Sequence, residues 1–563
     1  MDAFVLKKVV QEVRERLTGA LVSKVHQPGK REIVIDFWKP GVTAKLLIST
    51  HPTLSTLHLT EGTLPNPPSP PRFCQSLRKH LSGARLTSIE EKDFDRHVRL
   101  GFGRKDAEGE ISLICELYGR HGNIILVSPD GTVINALALV TAEETRVREV
   151  LPGIPYTPLP PLPKRPLPEV DLSLCEEIFA ESWDRLSRTL LEKVHGLSKE
   201  ICSLIEGASP STPEELCEIL SLLADSYRKG DYRVGLSREG KWPRLAALPP
   251  FLPQPAGFEE FPSPSRAADV FFLTRYLGEQ FQSSKSNLIQ AIRKRLNKAR
   301  RRLENVMSDV AKLEKFEEQG KYGELLKGAL HSIRRGQKEV TVLDYSTDPP
   351  SEVTIPLDPA LSPVENMYRF FRLYRKGRDG LAIKEKIISS VKDEIEYLES
   401  ALYHAEHAGS EEEVAEIREE LEESGYLRTP KKKKRRGRGK EKPLRPPSVE
   451  KLDLSGHVLY VGKSNRGNDH IIRHLAKPGD LWFHAVGYPG SHVVLKRSGP
   501  GSPPEEIIEE AARIAASRSA ARGDTRVQVF VADARDVIRV PGKKPGLVRV
   551  RKYRTVVVET GDM

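Results

Sequence analysis

The stretch IQAIRKRLNKARRRLENVMSDVAKL, residues 289–313, carries the clearest periodicity of the chain. Its apolar residues recur in alternating steps of three and four, which is the pattern of a coiled-coil seam. A second seam between residues 388 and 405 follows an insert of mixed character at 320–380. We therefore predict a long antiparallel coiled-coil hairpin with a small middle domain over residues 280–428. A coil between two chains would give the same pattern.

The first seam helix also carries a stripe of basic side chains, here called the basic stripe. A solvated helix face usually mixes signs, so this stripe favours a polyanion over plain solubility. Its members are Arg293, Lys294, Arg295, Lys298, Arg300, Arg301 and Arg302. Residues 431–442 (KKKKRRGRGKEK) hold nine further basic side chains, and their mutual repulsion predicts a disordered basic linker over 429–448.

Residues 1–168 form the first predicted domain. Leu6, Val10, Val13 and Leu17 have helical spacing, and short alternating strands follow. Because these strands run consecutively without a crossover helix between each pair, we expect an α+β domain on a mainly antiparallel sheet over about the first 150 residues.

Residues 169–265 follow a proline-rich connector and change to a helical pattern. The segment LLEKVHGLSKEICSLI (190–205) predicts two helices joined by a short turn, with Ser198 capping the second. This is typical of a helix-hairpin-helix unit, whose turn amides often approach a phosphate backbone. A plain helical connection has the same sequence, so both interpretations stay open.

Residues 449–563 predict a compact C-terminal α+β domain. Its Gly462-Lys463-Ser464 lacks the first glycine of a phosphate-binding loop, because position 457 is histidine. His474, Asp480, His484 and His492 follow no ligand spacing, so structural histidines are favoured over a metal site. Since no catalytic motif occurs, we expect no enzyme activity, no metal and no cofactor, and a binding function instead.

Composition points to a cytoplasmic protein without a membrane partner. No run of 18 apolar residues occurs, and charges interrupt the segment where a signal peptide would need an apolar run. The five cysteines are scattered and never form a C-x-x-C pair, which suits a reducing compartment.

Motifs in order along nearly the whole chain resemble the NFACT family, in particular its bacterial RqcH branch. They include NPPSPPRFCQSLRKHL (66–81), FDRHVRL (94–100), ELYGRHGNIILV (116–127), KYGELLKGAL (321–330), YVGKSNRGND (460–469) and DLWFHAVGYPGSHVVLK (480–496). The resemblance implies a glycosylase-like N-terminal domain, a helix-hairpin-helix unit, a coiled-coil hairpin and a C-terminal NFACT-R RNA-binding domain.

The family's implied function is ribosome-associated quality control. Such a protein binds a large ribosomal subunit obstructed by peptidyl-tRNA and recruits charged tRNA, usually alanyl-tRNA, for tailing of the stalled chain without mRNA. Peptidyl transfer then belongs to the ribosome itself, so the protein is a tRNA-recruiting factor and not an enzyme. Glycosylase chemistry is not expected, because the chain begins Met1-Asp2-Ala3 and lacks that mechanism's proline nucleophile.

The resemblance also implies binding residues. The tRNA-contacting positions of the family fall on Asp95, Arg96, Glu116, Leu117 and Tyr118. Further contacts with ribosomal RNA are expected from Lys463, Asn465, His492 and the basic stripe. Two rival functions remain: a fibronectin-binding surface adhesin, which would require export, and a DNA-binding repair protein, although no DNA partner is expected.

Overall fold

The fold is described from a computed structural model of the chain, which divides into two compact units, Met1–Glu279 and Gln280–Met563. Most of the predicted basic linker, including residues 431–442, lies outside the described residues. The described residues are 1–104, 108–143, 145, 147–181, 185–240, 242–428, 447–497, 499, 501–539 and 544–559.

An antiparallel sheet of nine strands forms the framework of the first unit. Its strands are β1 (Leu21–His26), β2 (Glu32–Lys39), β3 (Val42–Ser49), β4 (Thr56–Thr60), β5 (Arg85–Glu91), β6 (His97–Gly103), β7 (Glu110–Glu116), β8 (Asn123–Val127) and β9 (Val133–Ala136). They lie in the order β4-β3-β2-β1-β5-β6-β7-β8-β9. The predicted antiparallel sheet is therefore confirmed.

Two helices accompany this sheet, α1 (Ala3–Leu17) and α2 (Arg72–Leu81). The apolar face of α1 that the sequence predicts, from Leu6 to Leu17, is buried.

All five cysteines are free and lie in this unit, and burial raises the pKa of Cys202 to about 12. The Cys202 thiol therefore stays protonated at neutral pH.

The remainder of the first unit is mainly helical. Its helices are α3 (Leu172–Ala180), α4 (Leu186–Lys193), α5 (Lys199–Gly207) and α6 (Pro213–Lys229), with the short parallel pair β10 (Arg165–Pro166) and β11 (Val194–His195). A three-stranded sheet that the sequence analysis did not predict consists of β12 (Arg233–Ser237), β13 (Arg244–Leu248) and β14 (Phe258–Glu260). One cluster of buried side chains extends from Ala3 to Tyr276 and crosses the predicted boundary at residue 168.

Two long helices dominate the start of the second unit, α7 (Pro264–Glu314), which begins before the boundary, and α9 (Pro363–His407). Seam residues of both helices, among them Leu296 and Leu398, share one buried cluster. None of the helices in the described ranges combines the length and apolar character needed to cross a bilayer.

Ion pairs between α7 and α9 fix their relative direction. Arg293 pairs with Glu406, Arg300 with Glu399 and Arg302 with Glu394. Residue numbers rise along α7 while they fall along α9, so the two helices are antiparallel. These pairs also neutralise part of the basic stripe, because α9 supplies acids that are distant in sequence.

A small insert lies between the long helices. It contains α8 (Glu317–Ala329) and a hairpin of β15 (Glu339–Asp344) and β16 (Ser351–Pro356). Leu326 and Phe370 belong to the buried cluster that joins the insert to α9. This insert occupies the position of the predicted middle domain.

The C-terminal domain is built on a six-stranded antiparallel sheet. Its elements are β17 (Val449–Leu454), β18 (His457–Gly462), α11 (Asn465–His470), β19 (Leu481–Ala485), β20 (Val493–Leu495), α12 (Glu505–Ser517), β21 (Arg526–Asp533), β22 (Val537–Arg539), β23 (Val548–Val550) and β24 (Arg554–Glu559). The sheet order is β17-β18-β20-β19-β21-β24, and β22 pairs with β23. Four buried alanines between 511 and 516 face this core from α12.

Helix α10 (Glu411–Glu423) contacts the loop at 463–466 through four glutamates, Glu413, Glu416, Glu420 and Glu423, here called the glutamate ladder. Their spacing of three, four and three residues places them on one helix face. Glu416 accepts a 2.6 Å hydrogen bond from the Ser464 hydroxyl, and Glu420 accepts one of 3.0 Å from the Asn465 amide. The ladder thereby joins the C-terminal domain to α10.

Candidate nucleic-acid interface

A cleft of about 470 Å³ lies in the first unit, where the loop before β6 meets the turn between α4 and α5. Basic side chains outnumber acidic ones along its wall, which suits an anionic ligand. The basic residues are Arg96, Lys164, Lys199, Arg244 and Arg275, and the acidic ones are Asp2, Asp95 and Glu200.

The loop before β6 is held rigidly by Phe94. This residue has a φ of +56°, a region that bulky side chains rarely adopt. Its ring stacks on Tyr227 at 4.0 Å between centroids, and its backbone N–H donates to the Tyr227 hydroxyl at 3.0 Å. Packing and hydrogen bonding together therefore maintain an unfavourable backbone conformation next to the cleft.

Asp95 and Arg96 follow in the same loop and have different roles. Asp95 is only 9% exposed, accepts a hydrogen bond from the Arg96 backbone at 2.7 Å and pairs with Lys92 at 3.1 Å. The Arg96 guanidinium lies 5.9 Å from the ring centroid of Tyr118. Asp95 thus shapes the loop, while Arg96 and Tyr118 present a planar cation beside an aromatic ring.

The turn between α4 and α5 forms the facing wall. Gly196 has a φ of +97°, and a β-carbon at this position would lie 3.0 Å from that of Phe94. Ser198 caps α5 by accepting from the Ile201 backbone, as the sequence predicts, and its hydroxyl donates to Asp2 at 2.9 Å. Asp2 in turn caps α1, so two helix N-termini meet at the cleft.

Two predicted tRNA contacts do not line this cleft. Glu116 is fully buried, where it pairs with Arg148 and accepts a 2.9 Å hydrogen bond from the Tyr156 hydroxyl. Leu117 is buried in the core cluster. The prediction placed all five residues at the binding surface, whereas the structure brings Asp95, Arg96 and Tyr118 together and encloses the other two. A carboxylate can be buried only when it is paired, and Arg148 and Tyr156 provide that pairing for Glu116.

Two of the predicted RNA contacts of the C-terminal domain, Lys463 and Asn465, are engaged within the protein. Asn465 is 3% exposed and bonded to Glu420, and Lys463 pairs with Glu413 at 3.1 Å. His492 is 4% exposed. Asn465 and His492 are therefore almost fully enclosed by protein, and both line a small cavity of the C-terminal domain.

Histidines 404, 484 and 492 form a group near α9 and β19. Burial, followed by the neighbouring histidines 407 and 484, lowers the pKa of His404 to about 3. Burial lowers the pKa of His484 to about 4 and holds that of His492 well below its usual value. All three side chains are therefore neutral at pH 7.

Basic residues outside the predicted set complete the cleft. Lys164, Lys199, Arg244 and Arg275 come from separate elements, and no local motif in the sequence connects them. The helix-hairpin-helix pattern was the single sequence signal that pointed to this wall.

Comparison with known proteins assigns the whole chain to a family. The NFACT N-terminal and middle domains match residues 2–440, and the NFACT protein RNA binding domain matches residues 451–551. The chain belongs to the NFACT family. The Rqc2 homolog RqcH of Bacillus subtilis is 31% identical to this NFACT chain, across 98% of this chain and 96% of the relative.

More distant relatives and solved structures match parts of the NFACT chain. The ribosome quality control complex subunit NEMF of Homo sapiens is 33% identical over 25% of this chain and 13% of its own length. The solved C-terminal part of the fibronectin/fibrinogen-binding protein from Streptococcus suis is 30% identical over 50% of this chain and 96% of that structure, with a TM-score of 0.38. At that TM-score the likeness gives no support to fibronectin binding.

Replacing Gly196 by alanine tests the contact between the two cleft walls. We expect Gly196→Ala to lower the free energy of unfolding by at least about 1–2 kcal/mol, because alanine is strained at positive φ and its β-carbon crowds Phe94. Urea denaturation of the full chain measures this. Gly240→Ala is the matched control: its φ is +92°, but nothing lies near its β-carbon. Equal losses in both variants would show that backbone strain alone, and not the contact with Phe94, matters.

The buried histidines predict acid sensitivity of the second unit. Their folded pKa values lie below the ordinary value of about 6.5, so the unfolded chain binds more protons as the pH falls. Stability is then fully present above about pH 6.5 and declines towards pH 4, by up to about 1.4 kcal/mol per pH unit for each histidine. Denaturation midpoints between pH 7 and pH 5 measure the slope.

A variant identifies the responsible groups. His404→Gln should reduce the pH slope by about one proton, whereas exposed His331→Gln should leave it unchanged. An unaltered slope in His404→Gln would assign the acid sensitivity to other residues.

Proposed function

We propose that this NFACT protein is a ribosome quality control factor in the cytoplasm. It binds a large ribosomal subunit that is obstructed by peptidyl-tRNA and recruits charged tRNA, with alanyl-tRNA as the expected species. The near full-length identity with proteins named RqcH supports this assignment. Neither the adhesin nor the DNA-repair alternative has a specific observation in its favour.

The observation that carries the tRNA role is the meeting of Arg96 with the helix-hairpin-helix turn in one basic cleft. Two sequence features that are 100 residues apart and separately suggest nucleic acid thus share one site. An unpaired tRNA loop exposes base edges and phosphates together. The Arg96 guanidinium can bind a phosphate or a base edge with its planar fork, and Tyr118 offers a ring for stacking.

The role of the protein in tailing is positional. A charged tRNA held in register against peptidyl-tRNA supplies proximity, while the ribosome supplies the reacting environment. The rigid Phe94 loop suits this role, because a fixed binding residue loses little conformational entropy on binding.

Ribosomal RNA is the proposed partner of the α7 stripe. Arg293, Arg300 and Arg302 are partly neutralised by α9. Lys294, Lys298 and Arg301 are exposed and form no ion pair within the described part of the chain. These three residues are therefore the better candidates for phosphate contacts.

Removal of the Arg96 side chain tests tRNA recruitment. A hydrogen bond to a charged group contributes roughly 1.5–3 kcal/mol, so Arg96→Ala should weaken tRNA binding at least about tenfold. Co-purification of tRNA and fluorescence anisotropy with labelled tRNA measure the effect, and co-sedimentation checks that ribosome binding persists.

Two further variants make this result specific. Asp95→Asn should cost less than Arg96→Ala, because the amide oxygen can still accept from the Arg96 backbone. Arg233→Ala, at an exposed ion pair away from the cleft, should leave binding unchanged. Undiminished tRNA recovery from Arg96→Ala would remove this residue from the site.

The salt dependence of ribosome binding tests the stripe. Each phosphate contact releases counterion, so Lys298→Glu with Arg301→Glu should flatten the slope of log affinity against log salt. Neutralising the paired residue in Arg293→Gln should change the slope less. Identical slopes for wild type and the reversed variant would mark the stripe as solvated surface.

A further inference from the structure

A second cavity, of about 250 Å³, lies in the C-terminal domain beside α9. Its lining includes Trp482 and His484 from β19, His492 next to β20 and Phe530 from β21. Glu396 and Tyr488 are exposed, so the cavity reaches the protein surface. It has no residue in common with the tRNA cleft of the first unit.

The wall of this cavity combines aromatic rings with polar ring nitrogens. The rings of Trp482 and His484 are nearly parallel at 5.7 Å, and His492 meets both edge-on at 5.3 Å. Trp482 is 1% and His492 4% exposed, yet Nε1 of Trp482 and Nδ1 of His492 have no hydrogen-bond partner among the described residues. Buried polar atoms are nearly always paired, so a ligand in the cavity could satisfy these two nitrogens.

The histidines keep this wall uncharged. Burial holds the pKa of His492 well below its usual value and lowers that of His484 to about 4. Neutral imidazole can donate at one nitrogen and accept at the other. Together with the indole N–H, the wall therefore suits a flat ligand with both donors and acceptors.

Carboxylates among the lining residues disfavour a phosphate inside the cavity. Glu396 and Glu399 of α9 line the cavity, and Glu399 is the partner of Arg300. A carboxylate repels an anion but accepts from amino groups, such as the exocyclic amine of adenine, cytosine or guanine.

Positive charge lies next to the cavity instead of inside it. Val548 and Val550 line the cavity, and exposed Arg549, Arg551 and Lys552 alternate with or follow them. These three basic residues form no ion pair within the described ranges. Tyr553, which is 54% exposed, packs edge-on against Phe530 at 4.6 Å. A basic segment with an exposed ring is typical of single-stranded nucleic-acid binding.

We propose that this cavity binds one unpaired, amine-bearing nucleobase of single-stranded RNA, with the adjoining phosphates along residues 549–554. The size, the aromatic lining, and carboxylates in the lining with basic residues outside it all fit a base whose backbone stays outside the cavity. The inference rests on the RNA-binding part of the proposed function and concerns a surface separate from the tRNA cleft.

The test compares labelled hexacytidylate with the same RNA carrying one central abasic nucleotide, bound to the full chain and followed by anisotropy. Base stacking commonly contributes about 1–3 kcal/mol, so the intact RNA should bind at least about fivefold more tightly than the abasic one. Hexauridylate should bind more weakly than hexacytidylate, because uracil lacks the amine.

Variants link this preference to the cavity. His492→Phe and Trp482→Phe keep an aromatic side chain at each position but remove the ring nitrogens. Both variants should reduce the preference for intact over abasic RNA to within twofold, while the affinity for abasic RNA persists. His457→Phe, in the same sheet but outside the cavity, should retain the preference. Lys552→Gln should weaken both RNAs equally.

A measurement on the unmutated sequence covers the case in which the variants fail to fold. In protein labelled with 5-fluorotryptophan, the resonance of Trp482 should shift with hexacytidylate and stay in place with the abasic RNA. Equal affinity for intact and abasic RNA, or equal shifts, would overturn the base site alone. Failure of wild type to bind any of these RNAs would overturn it together with RNA binding by this domain, while tRNA recovery through Arg96 reports separately on the first unit.

Discussion

Carboxylates that are removed from water must receive hydrogen bonds, and this requirement fixes the loops around both candidate sites. In the first unit, Asp95 holds the loop before β6 and Asp2 links the caps of α1 and α5. In the second unit, Glu416 and Glu420 hold the 463–466 loop against α10. Each of these acids thereby holds a backbone segment beside a candidate site.

The same rule distinguishes paired from unpaired buried polar groups. Glu116 satisfies its oxygens through Arg148 and Tyr156, so its burial needs no ligand. Trp482 and His492 are buried equally deeply but leave nitrogens unpaired. Sequence position alone does not distinguish these cases, since Glu116 ends β7 and Trp482 lies in β19.

The sequence was most informative where the spacing of neighbouring residues determines the local structure. The apolar face of α1, the seam through Ile292, Leu296 and Ala299 and the Ser198 cap follow from neighbours within a few residues, and each is present. It was least informative where partners are distant. The acids that pair with the α7 stripe lie about 100 residues away, and Lys164, Arg244 and Arg275 meet only after folding. The weakly patterned strands β12 to β14 were missed for the same reason, because burial on the first unit's core determines them.

The distribution of cysteine has a practical consequence. All five thiols lie between residues 74 and 217, and four of them are buried. A buried thiol reacts with a probe only when the surrounding structure opens, so the rate of alkylation reports the local opening free energy. The second unit contains no cysteine. The alkylation rate of the native thiols therefore reports local opening of the first unit, without any contribution from the second.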